Sequence, residues 1–394
     1  INSLVNNESL MLPRPHGGLL VSQVIDSKNL SIYNDCKVIT TDLTTIMDAE
    51  QIAIGTFSPI TGFMDKDEIE SVLDDYKLQN GEIWPLPIMF QSTDQFSKSD
   101  MKNKKVVLKL KESDVPYIKL HIDNTFYYDL DKLSKKMFGT NDKKHPGVHR
   151  LFEKGNQFIS GKVELINRLP SIYKHYEFTP LETRNIFENK GWSRIVGFHT
   201  RNIPHRVHEF IQEKAINENF CDGIFIHPVI GPKKLGDFLP EFIINSYNIL
   251  INDGYLNGKS FLGAFQSYSR YAGPREAIFT ALCRKNFGCS HFILGRDHTG
   301  VGKYYSKNDF NNALSKLEDL GITPLVFDEY IFSKKRKNYI NIKDLGEEKL
   351  NSISGTQARE MFINNKKPPS WYMRKDISNY IINTLQSGND VFVN

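Results

Sequence analysis

The second half of the chain alternates strand-like and helix-like segments, and this pattern limits the fold more than any other feature of the sequence. From about Thr179 onward, short apolar runs are followed by longer segments with the 3.6-residue period of an amphipathic helix. Strands that alternate with helices form a parallel sheet with helices packed on its faces. The sequence therefore predicts an α/β domain in this half.

The elements of the predicted α/β domain can be placed from the same periodicity. Strands are predicted at Arg194–Phe198, Gly223–Val229, Ser260–Ala264, His291–Leu294 and Thr323–Phe327. Helices are predicted at His205–Ile216, Phe238–Asn252, Pro274–Asn286, Asn308–Leu320, Thr356–Asn364 and Trp371–Leu385. The last helix suggests a small C-terminal subdomain.

The first part of the chain has a different pattern, in which short β-rich runs are separated by turn residues. Strands are predicted at Lys37–Thr41, Ile83–Phe90, Lys105–Leu110, Tyr117–Ile122 and Gln157–Leu165, and helices at Asp67–Tyr76 and Leu130–Met137. We therefore expect three domains: a β-rich domain at 1–168, an α/β catalytic domain at 169–328 and a small subdomain at 329–394. A chain of 394 residues is long enough for this division.

Composition narrows the possible functions. The net charge of +4 is small for this length, so we expect no nucleic-acid partner. No apolar run approaches the 18 or so residues of a membrane-spanning helix, and the polar start of the sequence lacks the order of a secretory signal. Four scattered cysteines without a CxxC pair are typical of a reducing compartment. The predicted location is the cytoplasm.

Polar residues are concentrated in the turn after the first predicted strand of the sheet. This turn, from His199 to Glu209, reads His-Thr-Arg-Asn-Ile-Pro-His-Arg-Val-His-Glu. His205 and His208 would share one face of a helix's first turn, where free backbone N–H groups favour anions. Arg201 can offer a planar fork to a tetrahedral oxyanion. Ligands of parallel sheets bind at such strand ends, so the turn is a candidate site for phosphate or another tetrahedral oxyanion.

A second turn of this kind, Gly295–Gly302, follows the fourth predicted strand. Its three glycines let backbone N–H groups approach an anion closely. Arg296 and His298 add charge and hydrogen-bond donors, and Asp297 could orient one of them. The sequence therefore predicts two anion-binding turns on one sheet.

Three further strings allow both a structural and a functional interpretation. In the string that starts at Ile353, Ser354 or Thr356 would cap a helix, and Arg359 could reach a phosphate. A purely structural cap remains an alternative there. For Phe57–Met64 and Ser269–Glu276, the sequence alone does not decide between packing and a role in the site.

Missing motifs exclude several enzyme classes. The sequence has no GxxxxGK[ST] phosphate loop, which excludes a kinase or ATPase of that type. It also has no HExxH zinc motif and no serine-hydrolase signature.

Taken together and in order, these strings resemble the ATP sulfurylase family. They are Pro15–Gly18, Phe57–Met64, His145–Val148, Thr200–Glu209, Gly273–Ala277, Gly295–Gly302 and Ser354–Arg359. The resemblance implies a PUA-like β-rich N-terminal domain, a Rossmann-like nucleotidyltransferase domain with a parallel sheet, and a small C-terminal subdomain. It also implies Mg-ATP (with Mg²⁺ bound to the nucleotide) and sulfate as substrates, and a homo-oligomer, dimer or larger.

The resemblance also implies which residues form the site. The implied catalytic residues are Thr200, Arg201, Asn202, His205, His208 and Arg296. The implied sulfate- and ATP-binding residues are His199, Arg201, Asn202, Gly295, Arg296, Asp297, His298, Thr299 and Val326.

The resemblance suggests a division of labour within this set. Arg201 would bind sulfate, Asn202 would hold the nucleotide, and Val326 would contact adenine. His205 and His208 would grip the phosphates and stabilise the transition state. The implied reaction is in-line attack of a sulfate oxygen on the α-phosphorus of ATP, which releases pyrophosphate.

The chain departs from the family pattern at three positions. His199 stands where the family usually has Gln, and Thr299 stands where it usually has Ala, so either change could alter the choice of oxyanion. The motif's proline is Pro204, one position later than usual, and this shift looks harmless. The zinc-binding cysteine loop of some members has no counterpart in Ser333–Lys349, so no structural metal is expected.

Two alternatives to sulfate adenylyl transfer remain. The first is an adenylyltransferase of the same fold that acts on another oxyanion. The second is an ATP- or RNA-binding protein with little catalysis, because PUA-like domains elsewhere bind RNA. The near-balanced charge and the intact Thr-Arg-Asn and HxxH strings argue against the second alternative.

Overall fold

The computed structural model describes residues 4–5, 11–25, 36–92, 105–295, 304–315 and 319–393. Four of the predicted site residues, Arg296, Asp297, His298 and Thr299, lie outside the described residues.

The N-terminal part is built mainly from strands, as the sequence predicts. Its elements are β1 (Leu4–Val5), β2 (Leu20–Val21), β3 (Lys37–Thr41), α1 (Leu43–Ala53), β4 (Gly62–Phe63), α2 (Lys66–Asp75), β5 (Phe90–Gln91), β6 (Lys105–Leu110), β7 (Pro116–Tyr127), α3 (Leu130–Phe138), α4 (Pro146–Glu153) and β8 (Gln157–Leu165). In the described residues, the main sheet here has the order β3-β6-β7-β8-β4, with β5 also paired to β8. Strands β6, β7 and β8 pair antiparallel, whereas β3 and β6 pair parallel.

The predicted strand Ile83–Phe90 is wrong except at its last residue. The segment forms one isolated bridge at Ile83 and joins the sheet only at Phe90. Pro85 and Pro87 lie inside it, and proline has no N–H to donate to a neighbouring strand. Its apolar residues are nevertheless buried, which explains why the run resembles a strand.

The sequence analysis also missed two N-terminal helices, α1 and α4. Helix α1 starts where the Asp42 carboxylate accepts a hydrogen bond from Thr45 N–H at 3.0 Å. Nine consecutive residues from Thr45 to Ala53 are buried. Helix α1 therefore has no exposed face in this stretch, and its sequence lacks the alternation of apolar and polar faces by which a surface helix is predicted.

The second half of the chain contains the predicted parallel sheet. Its elements are α5 (Pro180–Asn189), β9 (Ile195–Thr200), α6 (Arg206–Glu218), β10 (Gly223–Pro228), α7 (Pro240–Asn252), β11 (Ser260–Leu262), α8 (Pro274–Asn286), β12 (His291–Leu294), α9 (Lys307–Ser315) and β13 (Thr323–Val326). Helix α5 was not predicted. Helix α9 is described as far as Ser315, and positions 316–318 of its predicted range lie outside the described residues. The predicted α/β fold is confirmed.

The strand order of this sheet locates its binding crevice. The order is β11-β10-β9-β12-β13, and every pair is parallel. The chain first adds β10 and β11 on one side of β9 and then returns to add β12 and β13 on the other. Ligands of open parallel sheets bind at such a reversal, outside the carboxyl ends of the strands. Here that point lies at the ends of β9 and β12.

The C-terminal part is small and packs on the sheet domain. It consists of β14 (Tyr330–Ser333), β15 (Asn338–Asn341), α10 (Gly355–Ile363) and α11 (Lys375–Gln386). The hairpin of β14 and β15 was not predicted, and α11 begins four residues after its predicted start at Trp371. Ser354 forms a capping box with Gln357 at the start of α10, so the predicted helix cap is confirmed at Ser354.

The buried residues form two apolar cores on opposite faces of the sheet. One core joins α8 to the N-terminal part and includes Ile52, Trp84, Ile118 and Phe279. The other lies between α6, α7 and the C-terminal helices. None of the helices in the described ranges is both long and apolar enough to cross a membrane.

Candidate functional site

The turn after β9 starts with a local hydrogen-bonded loop. Thr200 Oγ1 accepts from Asn202 N–H at 3.1 Å, and Thr200 Oγ1 lies 3.2 Å from the Asn202 carbonyl. Thr200 is buried, whereas Arg201 and Asn202 are partly exposed. The loop therefore fixes the backbone and leaves these two side chains beside the crevice.

His205 and His208 come together at the start of α6. His205 is the N-cap residue, and the rings of His205 and His208 stack with centroids 4.8 Å apart. The Nδ1 atom of each ring is buried and has no hydrogen-bond partner among the described residues. Buried polar atoms are almost always paired in native proteins, so this pair is suited to a ligand.

Burial also controls the charge of the two histidines. It lowers the pKa of His208 to about 4, because a protonated ring would lose its hydration there. The pKa of His205 is lowered well below its usual value, first by burial and then by the neighbouring His208. Both rings are neutral at pH 7 in the absence of an anion.

Two cationic side chains of this region, Arg201 and Lys233, lie close enough to affect each other's charge. Arg201 Nη1 is buried without a partner in the described part of the chain. Lys233, in the loop after β10, donates to the Val229 carbonyl at 3.0 Å. The pKa of Lys233 is lowered to about 8, mainly by burial; Asp237 opposes this shift and Arg201 contributes to it. The positive charges and unpaired donors of this group suit an anion.

The C-terminal part holds the start of α6 in place. The Tyr372 carbonyl accepts from Arg206 N–H at 2.8 Å, and the Tyr372 hydroxyl lies 3.2 Å from His205 Nε2. Arg374 donates to Glu209 Oε2 from Nε at 3.0 Å and from Nη2 at 2.9 Å. The HxxH segment therefore depends on residues more than 150 positions away in the sequence.

Behind the turn, His199 is paired with a buried arginine. Arg284 of α8 is fully buried, and its Nη2 lies 2.9 Å from His199 Nδ1. The same Nη2 donates to the His227 carbonyl at 3.1 Å. Burial lowers the pKa of Arg284 to about 10, which still leaves it charged at pH 7.

Two predicted residues lie at neighbouring strand ends. Gly295 directly follows β12 and is exposed, with open space where a Cβ would stand. Val326 ends β13 and is 57% exposed, which is unusual for a valine in a parallel strand. Both residues therefore border the same edge of the sheet as the turn after β9.

Several other strings of the sequence analysis prove to have structural contacts. Arg275 donates to the carbonyls of Val72, Leu73 and Pro85, which ties α8 to the N-terminal part. Arg270 pairs with the buried Asp48.

The remaining strings are likewise held by contacts within the protein. His145 caps α4 through Nδ1. Arg359 donates to the Gly236 carbonyl and lies 3.4 Å from Asp237, so it is engaged with the loop after β10. In the Phe57–Met64 string, the Ser58 hydroxyl accepts from Val21 N–H at 2.9 Å.

The sequence analysis missed Lys233, Arg284 and Tyr372. A signal for Lys233 was present, because it lies in the turn after the second predicted strand, where the same strand-end rule applies. Arg284 and Tyr372 carry no such signal, since only tertiary packing brings them to the site.

Comparisons with known proteins agree with the predicted fold. A family model described as ATP-sulfurylase matches residues 174–384, and one described as PUA-like domain matches residues 13–168. The chain is 37% identical over 374 residues to a sulfate adenylyltransferase of Pyrococcus abyssi, covering 93% of this chain and 97% of that one. It is 33% identical over 382 residues to one of Halothermothrix orenii, covering 95% and 99%.

A solved structure described as a hexameric APS kinase from Thiobacillus denitrificans has the same fold, with a TM-score of 0.74. Its sequence identity is 21%, and the match covers 96% of this chain and 69% of that one. A family model thus matches more than half of the chain, and curated relatives above 30% identity match nearly all of it. The chain belongs to the ATP-sulfurylase family.

Proposed function

We propose that this protein is a sulfate adenylyltransferase, a nucleotidyltransferase that converts ATP and sulfate to adenylyl sulfate and pyrophosphate. The observation that carries the proposal is the stacked pair His205 and His208 beside Arg201 at the strand reversal of the sheet. Each of these side chains has a buried nitrogen without a partner in the described residues. A polyanion bound there would supply the missing acceptors.

The reaction consists of one displacement at phosphorus. A sulfate oxygen attacks the α-phosphorus in line, a new bond forms between that oxygen and phosphorus, and the bond to the β-phosphate oxygen breaks. Sulfate carries no proton at neutral pH, so no general base is required. The site has to hold the two anions close together and offset their charge.

In this proposal, each described residue of the site has a separate role. Arg201 binds sulfate through its guanidinium, and Asn202 holds the nucleotide. His205 and His208 donate to phosphate oxygens as negative charge moves toward the leaving pyrophosphate. Thr200 fixes the loop that carries them, and Gly295 and Val326 border the adenosine side.

Four residues of the proposed site belong to the second anion-binding turn. Arg296 would brace the α-phosphate region or the adenosine side, with His298 close by. The backbone after His298 would contact sulfate, and Asp297 and Thr299 are the other two residues of this turn in the proposed binding set.

We expect Mg²⁺ to arrive as part of Mg-ATP, bound by the phosphates of the nucleotide. Within the described ranges, no group of three or more His, Cys, Asp or Glu residues could hold a metal ion. A homo-oligomer, a cytoplasmic location and the absence of a nucleic-acid partner remain predictions, as do the domain boundaries at 168 and 328.

The test is pyrophosphate release from Mg-ATP with sulfate, selenate or molybdate, with pyrophosphatase added to pull the equilibrium forward. We expect sulfate-dependent release and adenylyl sulfate as the product in mass spectrometry. Arg201→Ala should abolish release. Arg194→Ala is the matched control, because Arg194 is exposed and precedes the opposite end of β9, and it should keep normal turnover.

Other outcomes would contradict the proposal in distinct ways. Release with another oxyanion but not with sulfate would keep the reaction type and change the acceptor. Binding of ATP without release with any oxyanion would favour the binding-protein alternative.

A further inference from the structure

We propose that Arg284 is a positioning residue that holds His199 as a neutral imidazole with its proton on Nε2, so that His199 acts as a hydrogen-bond donor to the oxyanion. The identity of that oxyanion as sulfate rests on the proposed function above. The state of the His199 ring does not, because it follows from contacts within the protein.

The first step concerns the contact between the two side chains. Arg284 Nη2 lies 2.9 Å from His199 Nδ1, which is hydrogen-bond distance. Every guanidinium nitrogen is a donor and none is an acceptor. His199 Nδ1 must therefore accept, and a neutral imidazole that accepts at Nδ1 carries its proton on Nε2. A doubly protonated ring would direct an N–H at the guanidinium.

The second step shows that Arg284 is held firmly in this position. Its stem crosses β9 at Gly197, where an added Cβ would lie 2.9 Å from Arg284 Cγ. Its guanidinium lies 4.5 Å from the ring centroid of Phe265 and donates to the His227 carbonyl. Any side chain larger than glycine at position 197 would displace Arg284. The glycine in β9 therefore leaves the space that the arginine side chain occupies.

The third step concerns the charge of Arg284. The structure gives it no ion pair with a carboxylate in the described residues, and its Nε and Nη1 atoms have no partner there. A buried charge without an ion-pair partner lowers the stability of the fold, so an apolar residue at position 284 would be more favourable for stability alone. A positive charge behind the ends of β9 and β10 is, however, favourable to an anion bound in front of them.

The other titratable groups beside this contact leave the assignment unchanged. His227 is fully buried, and burial followed by the charge of Arg284 lowers its pKa well below the usual value. Burial raises the pKa of both Cys283 and Cys289 to about 12, so both thiols stay protonated. These groups therefore leave Arg284 charged, and its guanidinium remains the donor that faces His199 Nδ1.

The direct test is two-bond ¹H–¹⁵N correlation spectroscopy of the ¹⁵N-labelled full chain. The His199 ring signals are assigned by their loss in His199→Gln. We expect the pattern of an Nε2-protonated neutral ring, unchanged between pH 8 and pH 6. A proton on Nδ1, or a doubly protonated ring at pH 7, would overturn the proposal. Because no turnover is needed, this result stands even if the protein transfers no adenylyl group.

Variants test whether the contact matters for the anion. Arg284→Met keeps an unbranched stem and removes the buried charge. In that variant, we expect the His199 ring to lose its single protonation pattern, because the donor that faces Nδ1 is gone. The KM for sulfate should rise about tenfold. An unchanged ring pattern in folded Arg284→Met would refute the positioning role.

A second pair of variants covers the case in which Arg284→Met fails to fold. His199→Leu removes both hydrogen bonds, and we expect it to raise the KM for sulfate at least tenfold. His199→Gln retains a carbonyl that can accept from Arg284 and an N–H that can donate, so it should recover most of that loss. If the Gln variant is as impaired as the Leu variant, the donor role of His199 is wrong.

Discussion

Arg374 offers the sharpest test of how the C-terminal part supports the site. The Glu209 carboxylate, one residue after His208, is buried and accepts two hydrogen bonds from Arg374 through Oε2. Arg206 donates to the same oxygen at 2.8 Å. We predict that Arg374→Met destabilises the fold and weakens ATP binding, because the start of α6 loses its anchor.

The expected magnitude follows from the burial of this pair. Removing one partner of a buried ion pair costs about 3–5 kcal/mol. Arg374 is 27% exposed and Glu209 keeps Arg206, so we expect a smaller loss, about 2–3 kcal/mol of unfolding free energy. The Asp253 contact of Arg374 adds little, since the Asp253 side chain is 54% exposed.

The assay is urea unfolding, followed by the KM for ATP in pyrophosphate release. Arg206→Met is the matched control, because it removes a donor to the same Glu209 oxygen from a side chain that is 39% exposed. That variant should lose under about 1 kcal/mol. Equal losses in the two variants, or a loss below about 0.5 kcal/mol for Arg374→Met, would show that the anchor is not where the structure places it.

Three further predictions concern the anion site. Arg201→Ala should abolish adenylyl transfer while its circular dichroism spectrum stays that of the parent, and near-normal turnover would refute the role of Arg201. His208→Ala should lose about 3–4 kcal/mol of transition-state stabilisation, seen in kcat, whereas a change confined to KM would mean that His208 holds only ground-state ATP. Because the pKa values of His205 and His208 lie below the unfolded value of about 6.5, the unfolded chain binds more protons, so stability should fall as the pH is lowered from about 6.5 to about 4. Urea unfolding at pH 7.5 and pH 5 measures this, and equal stability at both would contradict it.

The parallel sheet was predictable because its strands are buried on both faces. Such strands are continuous apolar runs, and β9, β10 and β12 are nearly all buried. The same rule failed at Ile83–Phe90, where a buried run with two prolines packs without joining a sheet along its length. The sequence thus predicted which segments are buried, but it did not predict which of them pair with a neighbouring strand.

The candidate site was predictable to the extent that it is local in sequence. Arg201, His205 and His208 fall within eight positions, so a strand followed by a helix is enough to bring them together. Arg284 reaches His199 from α8, and Tyr372 reaches His205 from the segment before α11. Their contacts depend on how layers of the fold pack, which no local pattern records.

Helix α8 contacts both the N-terminal part and the parallel sheet, and this limits how the sequence of the protein could have diverged. Its Arg275 and Asn286 are bonded to backbone carbonyls of the N-terminal part, while its Arg284 reaches the sheet beside His199. The core around α8 also contains residues from both parts. A substitution on this helix must therefore suit a β-rich module and a nucleotide-binding module at once. The sequences of the two modules are therefore expected to change together, and exchanging either module for a homologous one would require compensating substitutions on α8.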